Sequence, residues 1–245
     1  MNFRFLIFLL LPILATAQEK PPAKLIHVIV ALCDNESQGI MPVNARIGNG
    51  DDLHNNLYWG CSDGFGRFFK NSKEWELTKT ETADVPDAEV LQRLTFVHNK
   101  TGAMLLAEAW RGREIRKATE HLFHLLESDG GPDLVAYIGH NGLMDFVLDS
   151  RNSVKPDETR NKKSAIVLCC KSDAFFSARL KRAEVEPVLM TDQLMYPGSF
   201  LLKAALEGWL RKEKPDEIRE RAARAYATNQ KISTKAARGI FTKIE

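Results

Sequence analysis

The chain is punctuated by short, almost wholly apolar runs with polar residues gathered just after them. "AKLIHVIVALC" (23–33), "DLVAYIGH" (133–140), "SAIVLCC" (164–170) and the shorter "VEPVLMT" (185–191) are such runs. Rich in branched residues and without alternation, they read as strands buried on both faces. Between them the pattern changes. "RGREIRKATEHLFHLLES" (111–128) repeats apolar residues at helical spacing through Ile115, Ala118, Leu122 and Leu125 or Leu126. "PGSFLLKAALEGWLRKE" (197–213) predicts a helix with proline near its start. "KPDEIRERAARAYATNQ" (214–230) predicts another, with acids in its first turn and bases later. "NNLYWGCSDGFGRFFKNS" (55–72) suggests an amphipathic helix, and "EWELTKT" (74–80) alternates like a strand. "RLTFVHNKTGAMLLAEAW" (93–110) reads as a hairpin about "NKTG". The loops are "DNESQGI" after the first strand, "GNGDD" (48–52) and the polar 149–163.

Strands that alternate with helices, and are apolar throughout, predict an α/β fold: a mostly parallel central sheet with helices on both faces, plus the hairpin near 93–110. Ligands in such sheets bind beyond the carboxyl ends of the strands. Polar residues gather there: Asp34, His140, Cys170, and Thr191 with Asp192.

Composition narrows the functional classes. Of 245 residues, 44% are hydrophobic, enough for a real core, and the net charge of +2 is dispersed, so no nucleic-acid partner is expected. The first 17 residues carry Arg4, an apolar run and Ala15-Thr16-Ala17, the order of a cleavable export signal. That run is short for a membrane span, so the expectation is a protein exported to a periplasm or the outside. Residues 18–213 would form the main domain and 214–245 a helical extension packed on or beside it. Four cysteines are too few for a disulfide scaffold. Cys33 and Cys61 could pair in an oxidising compartment; sequence does not decide it. Without a CxxC pair no structural zinc site is expected. His121 and His124, three apart, read as helix-surface residues with no further ligand in view, and His98 as a turn histidine with a satisfied ring. No metal or cofactor is expected. No glycine-rich phosphate loop follows the first strand and no GxSxG elbow occurs.

If the strands at 134–139 and 164–169 are neighbours, His140 and Cys170 leave adjoining ends. A histidine there can act as general acid and base, and a cysteine as nucleophile. The N–H of Gly142, with no Cβ in the way, could approach a developing oxyanion, with the Cys170 N–H as a second donor.

"VAYIGHNG" followed by "AIVLCCKSDAFF" resembles the catalytic core of the caspase–legumain–gingipain clan of cysteine peptidases. There a strand ends in His-Gly and the next in the nucleophilic Cys, often as Cys-x-Ser; Cys170-Lys171-Ser172 fits that better than Cys169. "EAWRGREIRKAT" resembles the segment opening the helix before the histidine strand. "TDQLMYPGSFLLKAAL" is similar to the segment after the cysteine in bacterial members. The resemblance spans roughly 24–210, and only the His and Cys motifs are specific. It implies a caspase-like three-layer sandwich and a secreted cysteine endopeptidase that cleaves peptide bonds through a Cys170–His140 dyad and a thioester. This chain has His140-Asn141-Gly142 where the clan has His-Gly, so either Gly142 or Asn141 could serve the oxyanion. Asp34, Glu36, Asp192 and Ser172 form the expected substrate-binding set, the three acids suggesting a basic residue before the cut. The rival reading is a domain of this fold that has lost proteolysis and binds a peptide or protein partner.

Overall fold

The computed structural model describes residues 23–85, 88–149 and 162–244. The expected signal at 1–17 lies outside the described residues, as does most of the polar loop 149–163. Among the described residues the strands are β1 Leu25–Ala31, β2 Trp75–Thr82, β3 Val90–His98, β4 Met104–Trp110, β5 Leu134–Ile138, β6 Ser164–Leu168 and β7 Glu186–Leu189. They form one sheet in the order β2-β3-β4-β1-β5-β6-β7. β4, β1, β5, β6 and β7 are mutually parallel, and β3 runs antiparallel between β2 and β4. This is the α/β architecture, with its mostly parallel sheet, that the apolar runs predict. The β3–β4 hairpin turns at 99–103, where Gly102 takes φ 72°. Beside that turn the His98 ring is buried, contacting the Thr101 hydroxyl at 2.9 Å and Glu207 at 3.2 Å.

The helices are α1 Phe65–Lys70, α2 Ile115–Glu127, α3 Ser172–Arg182, α4 Ser199–Leu210, α5 Pro215–Gln230 and α6 Thr234–Arg238. Period-2 alternation along the strands divides the interior into two layers. Ile26, Val28, Val30, Leu134, Ala136, Ile138, Ile166 and Leu168 face α1, α4 and α5. Ile29, Ala31, Val135, Tyr137, Ala165 and Val167 face α2 and α3. The C-terminal helices share the first layer: Ile218, Ala222 and Tyr226 pack there with Phe241, which pairs its backbone with Thr191. No helix among the described residues is long and apolar enough to cross a membrane.

Two segments depart from the sequence expectation. The helix expected over 55–72 exists only as Phe65–Lys70. Its first half is a chain of turns organised by buried Asn56. The Asn56 amide accepts from the N–H groups of Cys33 and Tyr58, and donates to the carbonyls of Cys33 and Asn49. A side chain that offers the backbone such partners competes with the helical ladder. Conversely, α3 follows β6 where no helix is expected. It buries only Ser172, Phe176 and Leu180, a stripe of one residue per turn.

Candidate active site at two adjoining strand ends

β5 and β6 are parallel neighbours in full register, Ile138 opposite Leu168. His140 and Cys170 each lie two residues beyond that last pair. The bend between strand and histidine requires Gly139, whose φ of 146° suits glycine. A Cβ there would also press on the Ala31 carbonyl at 3.3 Å. The His140 carbonyl is anchored by the hydroxyl of buried Tyr137 at 2.7 Å.

The His140 ring is nearly buried, and its Nε2 contacts the Asp145 carboxylate at 2.7 Å. The same carboxylate oxygen accepts the Gly39 N–H at 2.9 Å, tying in the loop after β1. Gly39 has to be glycine for this, because a Cβ would sit 2.2 Å from the carboxylate. Asp145 is therefore a site residue that sequence reasoning missed. Its only signal is an acid five residues past the histidine, in "HNGLMDF".

Cys170 is half-buried in the turn from β6 into α3. Lys171, next to it, adopts the left-handed conformation (φ 52°, ψ 37°), which reverses the chain sharply into α3. The turn is pinned from the segment after β7: Lys171 N–H donates to the Gln193 carbonyl, and Asp173 N–H to the Thr191 carbonyl. The Cys170 thiol lies against the Met195 backbone, its Sγ 3.4 Å from the amide nitrogen and 3.6 Å from the carbonyl oxygen. Among the described residues no hydrogen bond joins His140 to Cys170. The link between the two ends is Asn141. Its amide donates to the Cys170 carbonyl at 2.7 Å and accepts the Leu143 N–H at 3.1 Å. Gly142 begins a single 3-10 turn, and a Cβ on it would meet the Phe146 ring at 2.7 Å. Close packing of Phe146 thus suffices to explain this glycine.

The expected substrate-binding residues are scattered around this edge. Ser172 is fully buried, its hydroxyl bonded to the Val167 carbonyl and to Thr191, which itself donates to the Cys169 carbonyl. Asp34 caps its own loop, accepting from Glu36 N–H and the Ser37 hydroxyl. Glu36 is exposed. Asp192, also exposed, accepts from the Thr242 hydroxyl at 2.6 Å.

A third thiol ends β1. Cys33 is buried, and burial raises it from the ordinary 9.0 to about 11 despite a hydrogen bond with Tyr58. Tyr58 lies close enough to Cys33, Tyr137 and Cys170 for their charges to add to burial in opposing its ionisation. Cys169, one residue before the candidate nucleophile, points into the opposite layer and is held well above the usual thiol range by burial. All four cysteines are free, so Cys33 and Cys61 do not pair in this structure.

Comparison of the chain with known protein families, curated proteins and solved structures finds no match. The class that the fold defines is an α/β sandwich with its polar residues at the carboxyl edge of a mostly parallel sheet.

Proposed function

We propose that the protein is an exported cysteine endopeptidase acting through Cys170 and His140. The observation that carries this reading is the register of β5 against β6, which brings a histidine and a cysteine to adjoining strand ends. A second supports it: Asp145 braces the imidazole, completing the order nucleophile, base, orienting acid.

The Cys170 thiol gives its proton to His140 as its sulfur attacks the peptide carbonyl carbon. The C–N bond breaks, and His140 passes a proton to the leaving amine. A water then gives its proton to His140 and attacks the thioester, releasing the acid and returning the thiol. With Nε2 held by Asp145, these proton transfers run through Nδ1. An extended peptide would bind by strand addition along a sheet edge, through main-chain pairing.

The test is a peptide-library screen of the purified mature protein beside alkylation mapped by mass spectrometry. Cys170 should be the thiol that alkylates fastest and should slow in His140→Ala. Cys170→Ala should abolish turnover while circular dichroism stays unchanged; turnover that survives it refutes the peptidase.

One observation favours a second reading, a binding domain without catalysis. The thiol already rests on the Met195 backbone, and both ends of the Asn141 amide are used to hold the strand ends. That reading predicts no turnover in any library, and a peptide affinity that Cys170→Ala retains.

A further inference from the structure

The middle of the sheet carries a second cluster of chemistry-bearing side chains, remote in sequence and built from regular elements. Glu108 of β4 lies opposite Ile29 of β1, so its side chain shares the face of His27, two residues earlier on β1. That face is covered by α2, from which His121 comes down. Glu108 Oε2 is 3.3 Å from His27 Nε2 and 3.4 Å from His121 Nε2, and all three ligand atoms fit within 4.8 Å. His27 Nε2 is buried and, despite this proximity, has no hydrogen-bond partner. A buried imidazole nitrogen aimed at a carboxylate without bonding it is costly unless something else satisfies it.

We propose that His27, Glu108 and His121 bind one divalent transition-metal ion of the zinc class. Zinc ligated by histidine nitrogen and carboxylate oxygen at about 2.0–2.1 Å in a tetrahedron places neighbouring ligand atoms about 3.3 Å apart. Both His–Glu separations match that edge. Two imidazoles select zinc-class ions over calcium or magnesium, which take oxygen ligands. The surroundings fit a metal's outer shell. Trp110 Nε1 donates to Glu108 Oε2 at 3.1 Å and Arg93 Nε to Oε1 at 2.8 Å, fixing the carboxylate with Oε2 toward both histidines. Three protein ligands leave the fourth position to solvent, on the side where His121 is partly exposed. The ion would pin α2 to the sheet, apart from Cys170 and His140.

The test uses full-length mature protein stripped with chelator and dialysed against Zn2+ or Co2+ alone, with bound metal counted by mass spectrometry. One ion per chain is expected. His121→Ala should weaken binding by at least about 100-fold, the upper range for loss of a mere supporting contact, whereas Cys170→Ala and His124→Ala should retain it. No stoichiometric binding overturns the proposal. So does binding that His121→Ala leaves intact, or that Cys170→Ala removes. Should His121→Ala fail to fold, the Co2+ spectrum of the wild-type protein decides. Tetrahedral bands without thiolate charge transfer support the site, and a thiolate band or an octahedral spectrum overturns it.

Discussion

His140 and Cys170 are positioned by loops that leave the sheet, whereas His27, Glu108 and His121 are positioned by the regular parts of β1, β4 and α2. At the strand ends, placement depends on local devices: a glycine at positive φ, a left-handed lysine, an asparagine bridge and a carboxylate tied to two loops. At mid-sheet, strand register and one helix docking do the same work with none of these. The first arrangement hangs its groups on loops that are tied to one another. The second is rigid, and suits a ligand that demands fixed geometry and undergoes no reaction. On the proposed reading, the difference separates two tasks within one sheet, chemistry at its carboxyl edge and a static ligand within its face.

The comparison breaks at once if the two clusters are not independent. Cys170→Ala should reduce peptide turnover to background, while His121→Ala, in the same assay with added chelator, should leave it within about twofold. If His121→Ala is as damaging as Cys170→Ala in a folded protein, the mid-sheet cluster belongs to the catalytic apparatus. A positioned general acid–base contributes about 10²- to 10⁴-fold. Asp145→Ala, which leaves His140 present but unbraced, should therefore lower kcat by about 10²-fold and leave KM nearly unchanged. A change in KM alone would make Asp145 a loop fastener and no more.

The next effect is on stability. Asn141→Ala removes two hydrogen bonds at a fully buried position and leaves the Cys170 carbonyl and Leu143 N–H to find new partners. Each buried group left unsatisfied costs about 1–3 kcal/mol, so urea unfolding should show a loss of about 3 kcal/mol. At mid-sheet, Trp110→Phe removes one bond to Glu108, whose carboxylate keeps Arg93. That loss should be near 1 kcal/mol. Equal losses would mean that the asparagine bridge is no more demanding than the outer contacts of Glu108.

Sequence legibility follows the same division. Continuous apolar runs mark β1, β5, β6 and the shorter β7, because a strand buried on both faces has little freedom of composition. His140 and Cys170 stand out since each closes such a run. His27 and Glu108 do not: each sits inside a run, "LIHVIV" and "MLLAEAW", as a lone polar residue. Their meeting depends on the β1–β4 register, which sequence does not provide, so His121 has no further ligand in view when the chain is read alone. Those two polar exceptions in buried strands were the available signal. The helix α3 was hidden for a related reason, since one buried residue per turn in "KSDAFFSARLKR" makes a weak stripe. Residues 55–64 misled in the opposite sense. Their aromatics, Tyr58 and Trp59, are buried, but the side-chain bonds of Asn56 hold them there on turns.

The last comparison separates the thiols of the carboxyl edge from one another. Cys33 ends β1, next to β5, yet its burial beside Tyr58 raises it to about 11. With the pKa two above the ordinary 9.0, the thiolate population at neutral pH falls about 100-fold. Iodoacetamide near pH 8 should therefore modify Cys170 while sparing Cys33. The same shift has a sign for stability. A folded pKa above the unfolded one means that the native state holds its proton longer, so the contribution is complete below about pH 9 and disappears as pH climbs toward 11. Cys33→Ala removes that one contribution and leaves those of Tyr58, Tyr137 and Cys169, whose burial also raises them. Urea midpoints at pH 7.5 and 10.5 should then fall further for the wild-type chain than for Cys33→Ala. An equal fall in both would show that burial does not hold the Cys33 proton in the native state.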